Sequence, residues 1–120
     1  MIRSSFSAAH RLMGYDGKCE AIHGHNWKVD IVVKARELDE TGIAMDFRII
    51  KEKAKEILDT LDHSFLNELP FFQNDNPSSE NIAKYIYKQL SNIINTDRVS
   101  ISKVSAWESD TACASYFEEE

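Results

Sequence analysis

The chain opens on a period-two pattern. Its even positions, Ile2, Ser4, Phe6, Ala8, His10 and Leu12, are mostly apolar, and its odd positions begin Arg3, Ser5 and Ser7. Such alternation is that of a half-buried strand and predicts one over 2–12. It returns most clearly where Trp27, Val29, Ile31, Val33 and Ala35 alternate with Lys28, Asp30, Val32, Lys34 and Arg36. The intervening 13–22 contains Gly14, Asp16 and Gly17 and predicts a loop. After a connection at 39–42, the period becomes helical. Phe47, Ile50, Ala54, Ile57, Leu58 and Leu61 form one stripe opposite Lys51, Glu52, Lys55, Glu56 and Asp59. This predicts a helix over 47–61 with Asp46 as its N-cap. A loop over 70–77 leads to a second helix starting at Ser78 or Ser79 and ending near Ile94. Its stripe is Ile82, Ala83, Ile86, Leu90, Ile93 and Ile94. A third strand is predicted over 99–108, but its phase slips: Val99 and Ile101 are odd, Val104 and Ala106 even. Either a bulge near Lys103 or burial on both faces accounts for the slip. A last strand covers 112–117.

The order strand–strand–helix–helix–strand–strand predicts an α+β fold, a four-stranded antiparallel sheet with two helices on one face. Such a sheet has two edges that must be paired or blocked. The expectation is therefore a homo-oligomer in which sheets continue between subunits.

Composition narrows the function classes. The 120 residues, 42% hydrophobic and 28% charged, make one globular domain over 1–120, without repeats or linkers. A net charge of −6 argues against nucleic acid and anionic membrane surfaces as partners, yet a few local cations could hold a phosphorylated small molecule. No apolar run approaches the ~18 residues of a membrane span. The N-terminus carries no apolar signal stretch, so the expected location is the cytoplasm. Cys19 and Cys113 do not make a disulfide framework and are expected to be reduced. Cys113, within Ala112-Cys113-Ala114, is expected to pack in the core.

The four histidines are His10, His23, His25 and His63. His10 ends the apolar face of the first strand. His23 and His25 share parity with Trp27 and Val29 at the start of the second. An antiparallel pairing of these strands brings all three imidazoles to one face at one end of the sheet. Three neutral imidazoles with an open position suit a catalytic zinc ion. The competing reading is that His10 closes the core by bonding a backbone carbonyl. Gly24, between the pair, suits a close backbone approach. Cys19, four residues before His23, is either an activated thiol or a small loop residue. In Asp62-His63 the carboxylate could set the imidazole tautomer, or the imidazole could bond the last carbonyls of the helix. Glu108 shares parity with Val104 and Ala106. If it points inward, its carboxylate could accept two parallel hydrogen bonds from an amino-pyrimidinone edge such as that of a pterin or guanine. Otherwise it is an exposed strand-end acid.

Several segments together resemble one family. They are Phe6-Ser7-Ala8-Ala9-His10-Arg11-Leu12, Cys19-Glu20-Ala21-Ile22-His23-Gly24-His25-Asn26, Met45-Asp46-Phe47, Leu61-Asp62-His63, Asn76-Pro77-Ser78-Ser79-Glu80-Asn81 and Trp107-Glu108. In this order they resemble the 6-pyruvoyl-tetrahydropterin synthase / 6-carboxy-tetrahydropterin synthase family, over nearly the whole chain. The resemblance implies the tunnelling fold, in which subunit sheets join into an oligomeric barrel, as hexamers or tetramers with active sites at subunit interfaces. It implies zinc on His10, His23 and His25, a catalytic thiol at Cys19 relayed through Asp62 and His63, and a pterin anchor at Glu108. The implied substrate is 7,8-dihydroneopterin triphosphate. The Cys-x-x-x-His-Gly-His spacing resembles the members that make 6-carboxy-tetrahydropterin for 7-deazaguanine (queuosine) synthesis, rather than the pyruvoyl-forming members. Glu20 complicates the choice: Glu-x-x-His-Gly-His resembles a subgroup that makes 6-hydroxymethyl-dihydropterin for folate. The chain carries both motifs, as a proposed dual-function subgroup does, unless Glu20 is only a solvated loop acid. Ser109 stands where threonine is common. Arg11, Lys18 and Lys28 lie near the site in sequence, without establishing which cations would hold the triphosphate. Two readings outside the family also fit some of these residues. A non-catalytic zinc-stabilised binding module needs only the histidines. A small zinc hydrolase leaves Glu108 and Asp62-His63 without roles.

Overall fold

The computed structural model describes residues 1–14 and 21–119. Cys19 and Glu20, and the cation Lys18, lie outside the described residues. The elements are β1 (Ile2–His10), β2 (His23–Ala35), α1 (Phe47–Leu58), β3 (Ser64–Phe65), α2 (Ser79–Ile94), β4 (Val99–Ser109) and β5 (Ala112–Tyr116). Short 3-10 turns at Leu66–Glu68 and Pro70–Phe72 interrupt the stretches between β3 and α2. No helix among the described residues is long and apolar enough to cross a membrane.

The fold is α+β, as the element order predicts, with one difference in the sheet. It has five strands in the order β3-β1-β2-β4-β5 rather than four. The extra strand, β3, is only two residues long and runs parallel to β1, with Ala8 opposite Ser64 and Ala9 opposite Phe65. Two residues are too short to leave a periodic signal in sequence. All other pairings are antiparallel.

The phase slip in β4 is a bulge. Lys103 pairs with Val32 and Ile101 with Val33, so Ser102 is the surplus residue. One inserted residue turns the odd residues Val99 and Ile101 to the face of the even residues Val104 and Ala106, and all four are buried. Both helices pack on that face. The core joins Phe6, Trp27, Val29 and Ile31 of the sheet to Ile50, Ala54 and Leu58 of α1 and Ile82, Ala83, Ile86 and Leu90 of α2.

Both helix starts are capped by short polar side chains, which satisfy N–H groups that lack an intrahelical partner. Asp46 accepts from Arg48 N–H at 2.8 Å, and Ser78 Oγ accepts from Asn81 N–H at 3.1 Å. Four side chains depart from expectation. Phe47, at the first position of α1, is 60% exposed, because the helix has not yet turned its stripe onto the sheet. Ile93 is also exposed, and Tyr87 is buried in α2 instead. Cys113 is exposed rather than packed in the core, since β5 is the outermost strand. Helix α1 ends at Leu58, and Leu61 is buried from the turn that follows.

Candidate active site and metal centre

The β1–β2 register sets His10 opposite His23 and Ala8 opposite His25. The three imidazoles therefore share the helix-facing side of the sheet at one end, as parity requires. Their ring centroids lie 4.5 Å (His10–His23), 4.7 Å (His23–His25) and 5.4 Å (His10–His25) apart. One ligand atom from each, with one carboxylate oxygen of Glu108, fall within 4.8 Å of one another. Trp27, fully buried, stands edge-on to His10 at 5.1 Å and to His25 at 5.6 Å and separates the cluster from the core.

His10 is 1% exposed. Its Nδ1 donates to the Pro77 carbonyl oxygen at 2.7 Å, just before the cap of α2. That bond leaves the Nε2 lone pair as the free side of the ring, and Nε2 is buried without a hydrogen-bond partner. Burial is the largest influence on the ring and lowers its pKa, so it stays neutral where a free imidazole would begin to charge. His23 repeats the arrangement: its Nδ1 donates to the Ala21 carbonyl oxygen at 3.0 Å. His25 Nε2 lies 3.1 Å from Glu108 Oε1, but the alignment makes no hydrogen bond and Nε2 is otherwise unpartnered. A buried unpaired nitrogen costs about 1–3 kcal/mol. These two nitrogens converge with the His23 ring on one point, a donor set that a zinc ion would satisfy, and Glu108 lies beside it. The expected backbone-carbonyl bond of His10 is present, and it leaves the other ring nitrogen available to a metal.

Gly24 is not required by sterics. A Cβ there would meet the Ala8 carbonyl oxygen at 3.8 Å, ordinary van der Waals contact.

Glu108 lies at the end of β4 and points toward the histidines, as its parity predicts. Its second oxygen, Oε2, lies 3.5 Å from Ser79 Oγ at the start of α2. Asp62 and His63 are not part of this cluster. They follow α1 and lie at the outer edge of β1. Asp62 Oδ1 accepts from Ser7 N–H at 2.8 Å, and Oδ2 faces His63 Nδ1 at 2.9 Å. The bond from Ser7 is the largest cause of the lowered Asp62 pKa. His63 adopts the left-handed conformation (φ 56°), and its side chain is 84% exposed. Ser7, Ala9, Gly24, Asn26 and His63 border a shallow depression of about 380 Å³ there.

Parity sets Trp27 on the histidine face, but the sequence assigns no site role to it, to Ser79 or to the Pro77 carbonyl. A backbone carbonyl has no residue-type signature, so Pro77 was not recognisable from sequence.

The 6-pyruvoyl tetrahydropterin synthase family model matches residues 1–119. A Synechocystis protein named 6-carboxy-5,6,7,8-tetrahydropterin synthase is 33% identical over 118 residues, covering 94% of this chain and 88% of its own. The Haemophilus influenzae protein of the same name is 31% identical over 137 residues, covering 95% of this chain and 94% of its own. Among solved structures, the 6-pyruvoyl tetrahydropterin synthase of Caenorhabditis elegans superposes with a TM-score of 0.81 at 30% identity, covering 98% of this chain and 93% of its own. Sequence and fold agree, and the chain belongs to the 6-pyruvoyl tetrahydropterin synthase family.

Proposed function

We propose that this protein is a zinc-dependent enzyme that converts 7,8-dihydroneopterin triphosphate and one water to 6-carboxy-5,6,7,8-tetrahydropterin, acetaldehyde and triphosphate, on the route to 7-deazaguanines. The observation that carries the proposal is the convergence of His10, His23, His25 and Glu108, with two buried imidazole nitrogens left unpartnered. The names of the relatives and the Cys19-x-x-x-His23-Gly-His25 spacing favour the carboxy product.

His10, His23 and His25 would hold the zinc, whose chemistry is that of a Lewis acid that lowers the pKa of a side-chain hydroxyl. Glu108 would accept two N–H groups from the pterin ring and fix its orientation. Cys19 would move protons at the side-chain carbons as a thiolate. Asp62 Oδ2, 2.9 Å from His63 Nδ1, would hold the tautomer that leaves Nε2 to take and return a proton. Because Asp62-His63 lies at the sheet edge, its relay would serve a site completed by a neighbouring subunit. This supports a homo-oligomer, as hexamer or tetramer, with interfacial sites.

Glu20 supports a second reading, in which the protein also or instead forms 6-hydroxymethyl-7,8-dihydropterin. One experiment separates the readings: incubate zinc-loaded protein with 7,8-dihydroneopterin triphosphate and identify the product by mass spectrometry. The expected product is the 6-carboxy compound, abolished by Cys19→Ala with zinc content unchanged. A 6-hydroxymethyl product lost on Glu20→Ala would establish the second activity. A 6-pyruvoyl product would replace the carboxy assignment, and untouched substrate would leave a zinc-stabilised binding module.

A further inference from the structure

The outer edge of β1 is completed largely by side chains rather than by a strand. The odd residues Ser7, Ala9, Arg11 and Met13 lie along this edge. Ser7 is served by the Asp62 carboxylate and by His63 N–H, and Ala9 lies opposite Phe65 of β3. Beyond β3 the backbone would be unpaired. There the carboxamide of Asn67 takes over: its Oδ1 accepts from Arg11 N–H at 2.9 Å and its Nδ2 donates to the Arg11 carbonyl at 2.8 Å. Two residues on, Asn76 repeats the arrangement with Met13, at 2.7 and 2.8 Å. A primary amide offers one acceptor and one donor side by side, which matches the N–H and C=O of a single extended residue.

Asn76 also belongs to the segment that orients a metal-ligating histidine. Its own carbonyl oxygen accepts from Asn81 Nδ2 at 2.8 Å, and the next carbonyl, that of Pro77, holds His10 Nδ1. His10 is thus gripped twice. Its ring is fixed through Pro77, and the backbone just after it is fixed at Arg11 and Met13. The Pro77 and Met13 contacts depend on the Asn76 region, and the Arg11 contact on Asn67.

We infer that Asn67 and Asn76 are positioning residues of the metal centre: their carboxamides extend the sheet edge past β3 and hold His10 in its ligating pose. The inference rests on the zinc reading above. Groups that orient metal-bound histidines commonly set affinity by about 10–100-fold, without touching the ion.

The test is metal affinity by chelator competition, with zinc and then cobalt(II), in Asn76→Asp, Asn67→Ala and the wild type. Asn76→Asp keeps the shape and the acceptor for Met13 N–H but replaces the donor with an oxygen facing the Met13 carbonyl. Zinc affinity is expected to fall by about 10-fold or more in each variant. The cobalt absorption spectrum should change in shape. The thermal midpoint of the metal-free protein should fall far less than that of the metal-loaded one. Wild-type affinity and spectrum in both variants would overturn the inference. So would an affinity loss matched by an equal loss of metal-free stability in Asn76→Asp. A wild type that binds no zinc would instead remove the zinc reading itself, and the inference with it.

Discussion

Asp30 shows what a single residue can hide. The alternation of β2 assigns it to the polar face, away from the helices, yet it is 7% exposed. The register explains why: Arg3 sits directly opposite on β1, and Trp107 lies diagonally across on β4. Arg3 grips the carboxylate through Nε at 2.6 Å and Nη2 at 2.9 Å, and Trp107 Nε1 donates to it at 2.9 Å. The bond from Arg3 is the largest cause of its lowered pKa. Because the folded-state pKa is below the unfolded one, this stabilisation is present above the unfolded value of about 3.9 and is lost as pH falls through the folded value. Asp30→Asn is expected to cost about 2 kcal/mol near neutral pH. Urea unfolding at pH 7 and pH 3 should show the gap between wild type and variant narrowing in acid. An equal gap at both pH values would remove the carboxylate from the account.

At the scale of elements, periodicity located both helices and the four longer strands, and the N-cap Asp46 located the start of α1. It could not decide how far each stripe turns onto the sheet. Leu90 and Ile93 lie on the same predicted stripe of α2, but Leu90 is fully buried and Ile93 is 43% exposed. Leu90→Ala should cost about 3 kcal/mol through the cavity it leaves. Ile93→Ala should stay within about 0.5 kcal/mol. Equal shifts in urea midpoint would contradict this packing. The phase slip in β4 was legible because parity is visible in sequence, but only the register chose a bulge, at Ser102, over burial on both faces.

The whole chain is elongated. Its radius of gyration is 15.2 Å, and its extents are 54 × 27 × 27 Å. A compact chain of this length has roughly 13–14 Å. Helices cover one face of the sheet, while β5 forms one edge and the two-residue β3 the other. A long single layer with an open edge is a template for pairing with another chain. Light scattering at micromolar concentration is expected to give a multiple of 13.7 kDa. Cys113, exposed on β5, should alkylate more slowly in that assembly than in dilute dissociated protein. A 13.7 kDa species with fully reactive Cys113 would count against edge pairing.

Local patterning by itself determined the order of the two helices and four longer strands, the α+β class and the shared face of the three histidines, and it put Glu108 in phase with the buried residues of β4. These follow from period and parity, which are properties of neighbouring residues. Only the tertiary structure decided which backbone carbonyls orient His10 and His23. It also decided that Cys113 is exposed, that Asp30 is sealed by Arg3 and Trp107, and that Asn67 and Asn76 stand in for a strand. The contacts of His10 with Pro77, of Asp30 with Arg3 and Trp107, and of the two asparagines with Arg11 and Met13 join residues distant in the chain, and no local pattern encodes a distance across space.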